Sequence, residues 1–218
     1  MNRACIAVAT LAVLLLVSCA GTPQLAEVKE VHACAKGECI PAAQRYTSTH
    51  LLQGLYQLLK RSEGRDLTLC TSDPAGRNCT SEGVSFFIMG GPLPGMGSLT
   101  HGQISDVRLD ETNRAIVMTM NWQKRFLGAP LACTPQKSTI IVRSADEIVW
   151  TDDDHVCTWL GVGGAYSSSN LVVDFVDFDK GRVAGYWSSG AAGMGGGKGS
   201  GYGLLMFPAA MQKGESWF

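Results

Sequence analysis

The sequence predicts a mainly β domain, an antiparallel meander that forms either a barrel or a two-sheet sandwich, with one amphipathic helix packed on it at the N-terminal side. From residue 83 onward, short segments rich in β-branched and aromatic residues alternate with turn residues. The helical periodicity precedes these segments, between about Pro41 and Ser62. Because no helical segment separates the strands, consecutive strands are expected to pair as antiparallel hairpins.

The predicted helix has an apolar stripe. Leucines recur at the spacing of one helical face, at Leu51, Leu52, Leu55, Leu58 and Leu59. Lys60 and Arg61 come next, where positive charge favours a helix C-terminus. The polar face carries Thr, Gln and His rather than the basic residues typical of a membrane-surface helix. We therefore expect the stripe to pack on the domain core, with a groove-binding or membrane-surface helix as the alternative.

Nine strands are predicted after the helix. They are GVSFFIMG, GQISDVRL, RAIVMTMNW, STIIVR, DEIVW, HVCTWL, NLVVDFVDF, RVAGYW and YGLLMF. Three tight connections are expected between them: DETN joins the second strand to the third, TDDD joins DEIVW to HVCTWL, and DKG joins NLVVDFVDF to RVAGYW. In the last connection Gly181 can adopt a positive φ.

Alternation within the strands predicts which residues share a face. In RAIVMTMNW the residues on one face are Ile116, Met118, Met120 and Trp122, which is typical of a core strand. In NLVVDFVDF, strict alternation puts Leu171, Val173 and Phe175 on one face, and Val172, Asp174, Val176 and Phe178 on the other. Neither face of that strand is cleanly polar, so both are expected to be covered.

The first residues of the chain have the features of an export signal. Arg3 supplies a positive charge, and the apolar run from Ala4 to Leu16 is shorter than the roughly 20 residues of a membrane-spanning helix. The run ends in Leu16-Val17-Ser18-Cys19, which resembles the lipobox of bacterial lipoproteins. An ordinary signal peptide or a short membrane anchor is the alternative.

The resemblance implies how the chain is processed and where it resides. Residues 1–18 would be removed, and Cys19 would become the N-terminus and carry acyl chains such as palmitate. Residues 19–40 would form a tether, and residues 41–218 a single disulfide-stabilised domain. Ala20 stands after the lipidated cysteine where an aspartate would favour the inner membrane, so we expect anchoring in the outer membrane, facing the periplasm.

Six cysteines remain in the mature chain: Cys34, Cys39, Cys70, Cys79, Cys133 and Cys157. An even number in an exported chain indicates disulfides. Nearest-neighbour pairing predicts Cys34 with Cys39, Cys70 with Cys79, and Cys133 with Cys157, although other pairings stay open. No pair has the C-x-x-C spacing of a zinc site, so neither a metal nor another cofactor is predicted.

Composition and motifs restrict the classes of function that the sequence supports. The net charge of −1, with no basic block, argues against nucleic acid as a partner. The sequence contains neither G-x-S-x-G nor H-E-x-x-H, and it leaves no cysteine as an evident nucleophile. The absence of these motifs argues against an enzyme. It does not exclude one, because catalytic groups can assemble from distant parts of a fold.

Two segments could carry function. The glycine-rich stretch from Gly190 to Gly203 is the leading candidate for a binding loop, through Met194, Lys198 and Tyr202, with a plain connector as the alternative. TDDDH at residues 151–155 could coordinate a cation or supply an acid and a base. A solvated hairpin tip explains that run equally well.

Two functions are therefore expected. The first is a non-catalytic envelope lipoprotein whose β domain binds another envelope component through an exposed loop or a sheet edge. The second is a carrier of a small apolar ligand inside the domain, lined by Met118, Met120, Trp122 and Phe175. A filled core with an exposed apolar patch would favour the first function, and an internal cavity the second.

Overall fold

The computed structural model describes residues 39–72, 98–123, 125–126, 129–159, 162–193, 197–211 and 215. The signal sequence, the lipobox, most of the tether and the predicted strand GVSFFIMG lie outside the described residues.

Two helices begin the described chain: α1, Ala42–Arg45, and α2, Ser48–Arg61. The Thr47 hydroxyl accepts a hydrogen bond from the His50 backbone N–H and caps the start of α2. The predicted single helix is therefore interrupted just before this cap. All five leucines of the stripe are buried in the main core, which confirms that this helix packs on the domain.

Eleven strands come after the helices in the described chain. They are β1 Asp66–Ser72, β2 Ser98–Asp110, β3 Ala115–Gln123, β4 Arg125–Phe126, β5 Ala129–Pro130, β6 Ala132–Cys133, β7 Gln136–Val142, β8 Ile148–Trp159, β9 Val162–Asp177, β10 Arg182–Gly193 and β11 Gly197–Met206.

Eight of these strands form a closed antiparallel barrel in the order β1, β2, β3, β7, β8, β9, β10 and β11, with β11 pairing back onto β1. The short strand β6 pairs with the last part of β8, and β4 pairs with β5 as a separate ribbon. The predicted mainly β meander is confirmed, and of the two predicted architectures the chain adopts the barrel.

The helices lie at one end of the barrel. α2 leads through residues 62–65 into β1 and contacts β2, β3 and β7, while α1 contacts β9. The turns from β2 to β3, from β7 to β8 and from β9 to β10 lie at this same end, which we call the helix end. The opposite end is the far end, and the half of the barrel interior next to it is the far half.

Two of the three predicted turns are present, and the third is not. DETN and DKG do connect paired strands, and Gly181 has a φ of 64°. TDDD is not a turn, because β8 runs through it as one strand with an irregularity in register between Asp152 and His155. The acidic run is accommodated as a bulge, since β8 continues to pair with β9 on both sides of it.

The glycine-rich segment is not a single loop. Its first residues end β10, and Gly197 to Gly203 lie within β11, which pairs with β10 from Arg182 to Ala191. The loop prediction is therefore wrong for the described residues. Glycine is tolerated in these strands where another group approaches closely, and the Trp187 ring lies against Gly203.

The strand NLVVDFVDF does not alternate strictly. A bulge between β9 and β10 shifts the register after Val173, so that Val173 and Val176 both belong to the interior core. Phe175 instead belongs to a second cluster with Cys70, Ala184, Tyr202, Leu204 and Met206, on the outer surface of β9, β10, β11 and β1. Phe175 therefore does not line the interior, because the extra residue Asp174 reverses the facing of the residues after it.

Candidate functional site

The barrel interior changes character along its axis. On β7, the buried residues from the helix end onward are Val142, Ile140, Ser138 and Gln136. On β8, Asp152 comes after Ile148 and Trp150. Met118, Met120 and Trp122 of β3 lie in the interior core, as the sequence predicted. The interior is thus apolar against the helices and gains polar groups in the far half.

Asp152 is the centre of a hydrogen-bond network across three strands. Its Oδ1 accepts from the Ser138 hydroxyl at 2.5 Å and from Trp150 Nε1 at 3.1 Å. Its Oδ2 accepts from the Ser169 hydroxyl at 2.7 Å. Because Ser138 and Ser169 are the register partners of Asp152 on the two neighbouring strands, the carboxylate ties β7, β8 and β9 together.

Four buried side-chain atoms have no hydrogen-bond partner within the described part of the chain: Arg114 Nη2, Gln136 Oε1, Arg182 Nε and Trp187 Nε1. Both arginines make other hydrogen bonds, whereas Gln136 and Trp187 lie on the inner face of the barrel. Gln136 is 3% exposed and Trp187 is 8% exposed. Leaving a buried donor or acceptor without a partner costs about 1–3 kcal/mol. One acceptor and one donor are therefore available inside the barrel.

Trp187 also lies in the far half. Trp150, Leu171, Trp187 and Gly201 are register partners on four successive strands. Ser72, the last residue of β1, pairs with Tyr202, so Gly201 lies one residue beyond the final β1–β11 pair, at the far end. Because barrel strands are tilted, such a row of register partners rises along the barrel axis, and it rises from Trp150 towards the far end at Gly201.

Aromatic and thioether groups complete the surroundings. The ring of Trp122 lies against Gly102, and that of Trp187 approaches Gly203, so each ring uses space that a side chain at the glycine would occupy. Met120 is the register partner of Gln136. We define the far-half site as Met120, Trp122, Gln136, Asp152 and Trp187.

A disulfide joins Cys133 of β6 to Cys157 of β8, as the nearest-neighbour pairing predicted. The buried His155 lies beside it, and one atom each of Cys133, His155 and Cys157 fall within 4.8 Å of one another. Sequence spacing did not indicate this cluster, because Cys133 is brought to it by pairing between β6 and β8.

The other cysteines are only partly described. Cys39 and Cys70 are each disulfide-bonded, and both belong to the outer cluster. Cys34 and Cys79, their predicted partners, lie outside the described residues, as does Cys19. The pairings predicted for Cys39 and Cys70 therefore stay predictions.

The residues of the predicted binding loop do not come together as a loop. Met194 lies outside the described residues, and Lys198 is part of β11. Tyr202 is buried in the outer cluster, and its hydroxyl donates a hydrogen bond to the Asp174 carboxylate. Desolvation raises the pKa of Asp174, and the Tyr202 hydrogen bond opposes that rise. Desolvation and the nearby Asp174 raise the pKa of Tyr202.

Sequence reasoning missed Gln136 and Trp187 as site residues. Asp152 belongs to the acidic run at residues 151–155, which the sequence offered as a cation site, an acid and base, or a solvated hairpin tip. Only the register of β8 shows that the Asp152 side chain meets two serines. The alternation of STIIVR, extended by two residues towards Gln136, would have put Gln136 on the face of Ile140.

No protein-family model, curated protein or solved structure matches this chain. The class that the fold defines is an eight-stranded up-and-down β-barrel with helices at one end. Within the described residues, none of the helices has both the length and the apolar character needed to cross a membrane.

Proposed function

We propose that this chain is a lipid-anchored protein of the bacterial envelope whose barrel is a non-catalytic binding module, and that it holds a small ligand in its far half. The observation that carries this proposal is the buried, unpartnered pair of polar atoms, Gln136 Oε1 and Trp187 Nε1. A binding protein keeps such groups, at a cost to its stability, when a ligand satisfies them.

The dimensions of the fold support a ligand of modest size. An eight-stranded barrel is wide enough either to be filled by side chains or to hold one small ligand. Near the helix end the space is occupied, because Leu51, Leu55 and Leu58 are buried together with the barrel core. The far half is where a ligand would lie.

The chemistry of the far-half site indicates what the ligand looks like. An apolar part would pack against Met120 and Trp122, and a polar part would donate a hydrogen bond to Gln136 and accept one from Trp187. The Asp152 carboxylate disfavours an anion close to it. We therefore propose an uncharged or cationic amphipathic ligand, in place of the purely apolar one expected from sequence.

The lipobox supports the membrane location. Each buried methylene of an acyl chain contributes about 0.8 kcal/mol of membrane affinity, and several chains hold a protein stably. With Cys19 acylated, residues 20–40 would connect the lipid to a barrel on the periplasmic side of the outer membrane.

Native mass spectrometry of the protein purified from envelopes in mild detergent tests the proposal. We expect a bound small molecule that is absent, or bound at least tenfold more weakly, in Gln136→Leu, while Lys137→Leu, on the opposite face of the same strand, keeps it. Gln136→Leu should unfold at no lower temperature than wild type, because it removes an unpartnered polar atom from the core. A ligand retained equally by both variants would contradict the far-half site.

A second candidate is a protein partner on the outer surface. Val172 and Tyr186 are register partners on β9 and β10 and are 49% and 50% exposed, beside the outer cluster. Because the eight strands close into a ring, such a partner would use this surface rather than a sheet edge.

Crosslinking in intact envelopes tests this second candidate. Tyr186→Glu should abolish a specific crosslinked partner that Asn170→Glu, an exposed position further along β9, leaves intact. Equal crosslinking in both variants would argue against a partner on this surface.

A further inference from the structure

Cys133, His155 and Cys157 form a compact cluster on two paired strands. Their ligand atoms all lie within 4.8 Å of one another. His155 and Cys157 are buried, while Cys133 is half-buried on the short strand β6. The cluster is thus inside the protein, with one member that reaches solvent.

Two thiolates and an imidazole are the donors that zinc prefers. Zn²⁺ binds cysteine sulfur at about 2.3 Å and histidine nitrogen at about 2.0–2.1 Å in a tetrahedron. Donors at those distances stand roughly 3.3–3.8 Å apart, within the 4.8 Å spread of this cluster. In the disulfide form the two sulfurs are bonded to each other and offer no thiolate.

We propose that reduction of the Cys133–Cys157 disulfide turns this cluster into a Zn²⁺ site, with Cys133, His155 and Cys157 as three ligands and a water in the fourth position. The inference is independent of the proposed ligand in the far half. The chain would then exchange a disulfide for a metal according to the redox state of its surroundings.

A dithiol is the reductant in the proposed reduction of the Cys133–Cys157 disulfide. The dithiol transfers two electrons and two protons to the S–S bond, which breaks to give two cysteine thiols, and the reductant closes to its own disulfide. Zn²⁺ then binds as both thiols lose their protons, so that two protons are released for each metal bound.

The local structure allows the required movement. Strand β6 has two residues and, among the described strands, pairs only with β8, so the Cys133 side chain can turn without breaking the barrel ring. Cys157 and His155 are held by β8 in the ring itself. The two fixed ligands and the one adjustable ligand suit a site that forms only after reduction.

Zinc binding by the anaerobically reduced protein tests the proposal. The matched set is wild type, Cys133→Ser/Cys157→Ser, His155→Asn and the control His101→Asn, a histidine on β2 outside the cluster. The double variant accounts for zinc bound by the remaining thiols. We expect wild type and His101→Asn to bind one more equivalent of Zn²⁺ than the double variant, and His155→Asn to bind that equivalent at least about tenfold more weakly.

Cobalt gives a second readout. Co²⁺ in the reduced wild type should show the thiolate-to-cobalt charge-transfer band and the visible spectrum of four-coordinate Co²⁺, and Zn²⁺ should displace it. If His155→Asn folds poorly, His155→Cys replaces the imidazole with a thiolate ligand in an apolar side chain and should give the spectrum of four-coordinate Co²⁺. Equal zinc binding by wild type and the double variant would overturn the proposal. Equal zinc affinity in His155→Asn and His101→Asn would also overturn it.

Discussion

Trp122 lies with its ring directly against Gly102, its register partner on β2. A Cβ atom at residue 102 would come within 2.6 Å of a ring carbon. The contact fixes the tryptophan along the inner wall of the barrel, beside Met120 of the far-half site. Glycine at 102 is therefore required by packing rather than by backbone conformation.

Gly102→Ala should lower the free energy of unfolding by about 1–3 kcal/mol, because the added methyl group overpacks the core against Trp122. Urea denaturation followed by tryptophan fluorescence measures the change. Gly190→Ala is the matched control on β10, where a Cβ meets nothing within 4 Å and a change within about 0.5 kcal/mol is expected. Similar losses in both variants would mean that strand glycine, not the Trp122 contact, sets the cost.

Asp152→Ala should destabilise the barrel by about 2–4 kcal/mol, because it leaves the Ser138 hydroxyl and Trp150 Nε1 buried without their acceptor. Asp153→Ala changes an exposed neighbour in the same acidic run and should stay within about 0.5 kcal/mol of wild type. Equal stability of the two variants would show that Asp152 does not tie the strands together.

Tyr202→Phe should destabilise the protein more at neutral pH than in acid. Desolvation raises the folded-state pKa of Asp174 above its ordinary 3.8, so stability from this group is full below pH 3.8 and is lost as pH rises through the folded pKa. The Tyr202 hydrogen bond limits that loss by favouring the charged carboxylate. Without this hydrogen bond, we expect the free energy of unfolding of Tyr202→Phe to be lower than that of wild type by about 2 kcal/mol at pH 7 and by about 1 kcal/mol at pH 3.

Denaturation of Tyr202→Phe and wild type at both pH values measures this difference. Tyr186→Phe, its half-exposed register partner on β10, is the control and should show no pH-dependent deficit. A deficit in Tyr202→Phe that is larger at pH 3 would reverse the assigned roles of burial and hydrogen bonding at Asp174.

Leu58→Ala should cost about 2–5 kcal/mol, because Leu58 is fully buried between α2 and the barrel core. Thr49→Ala, exposed on the same helix, should change stability by less than about 0.5 kcal/mol. Thermal unfolding followed by circular dichroism separates the two. A small loss in Leu58→Ala would mean that α2 contributes little to the barrel.

Cys19→Ser should move the protein from the membrane fraction to the soluble periplasm, because the acyl chains proposed on Cys19 would be its anchor. Fractionation of cells with immunoblotting measures this, and Cys5→Ser, within the segment predicted to be removed, is the control that should stay in the membrane. Processed Cys19→Ser protein that still pelleted with membranes would contradict the lipobox interpretation.

The sequence by itself determined the elements whose cause is local. The leucine stripe of α2, the face shared by Ile116, Met118, Met120 and Trp122, and the turn at Gly181 each result from periodicity or turn chemistry within a few residues. The pairing of Cys133 with Cys157 was also predictable, because the two are neighbours among the cysteines.

Only the tertiary structure decided the features that depend on pairing between distant strands. Closure of the ring through β1 and β11 selected the barrel, and bulges between Asp152 and His155 and at Asp174 changed which later side chains face inward. Since one extra residue reverses every later side chain in a strand, no alternation pattern could assign Phe175 to the outer surface. Ser138 and Ser169 meet Asp152 through the pairing register of β7, β8 and β9, which the sequence of one strand does not contain. For the same reason His155 met the cysteine pair only once β6 had paired with β8.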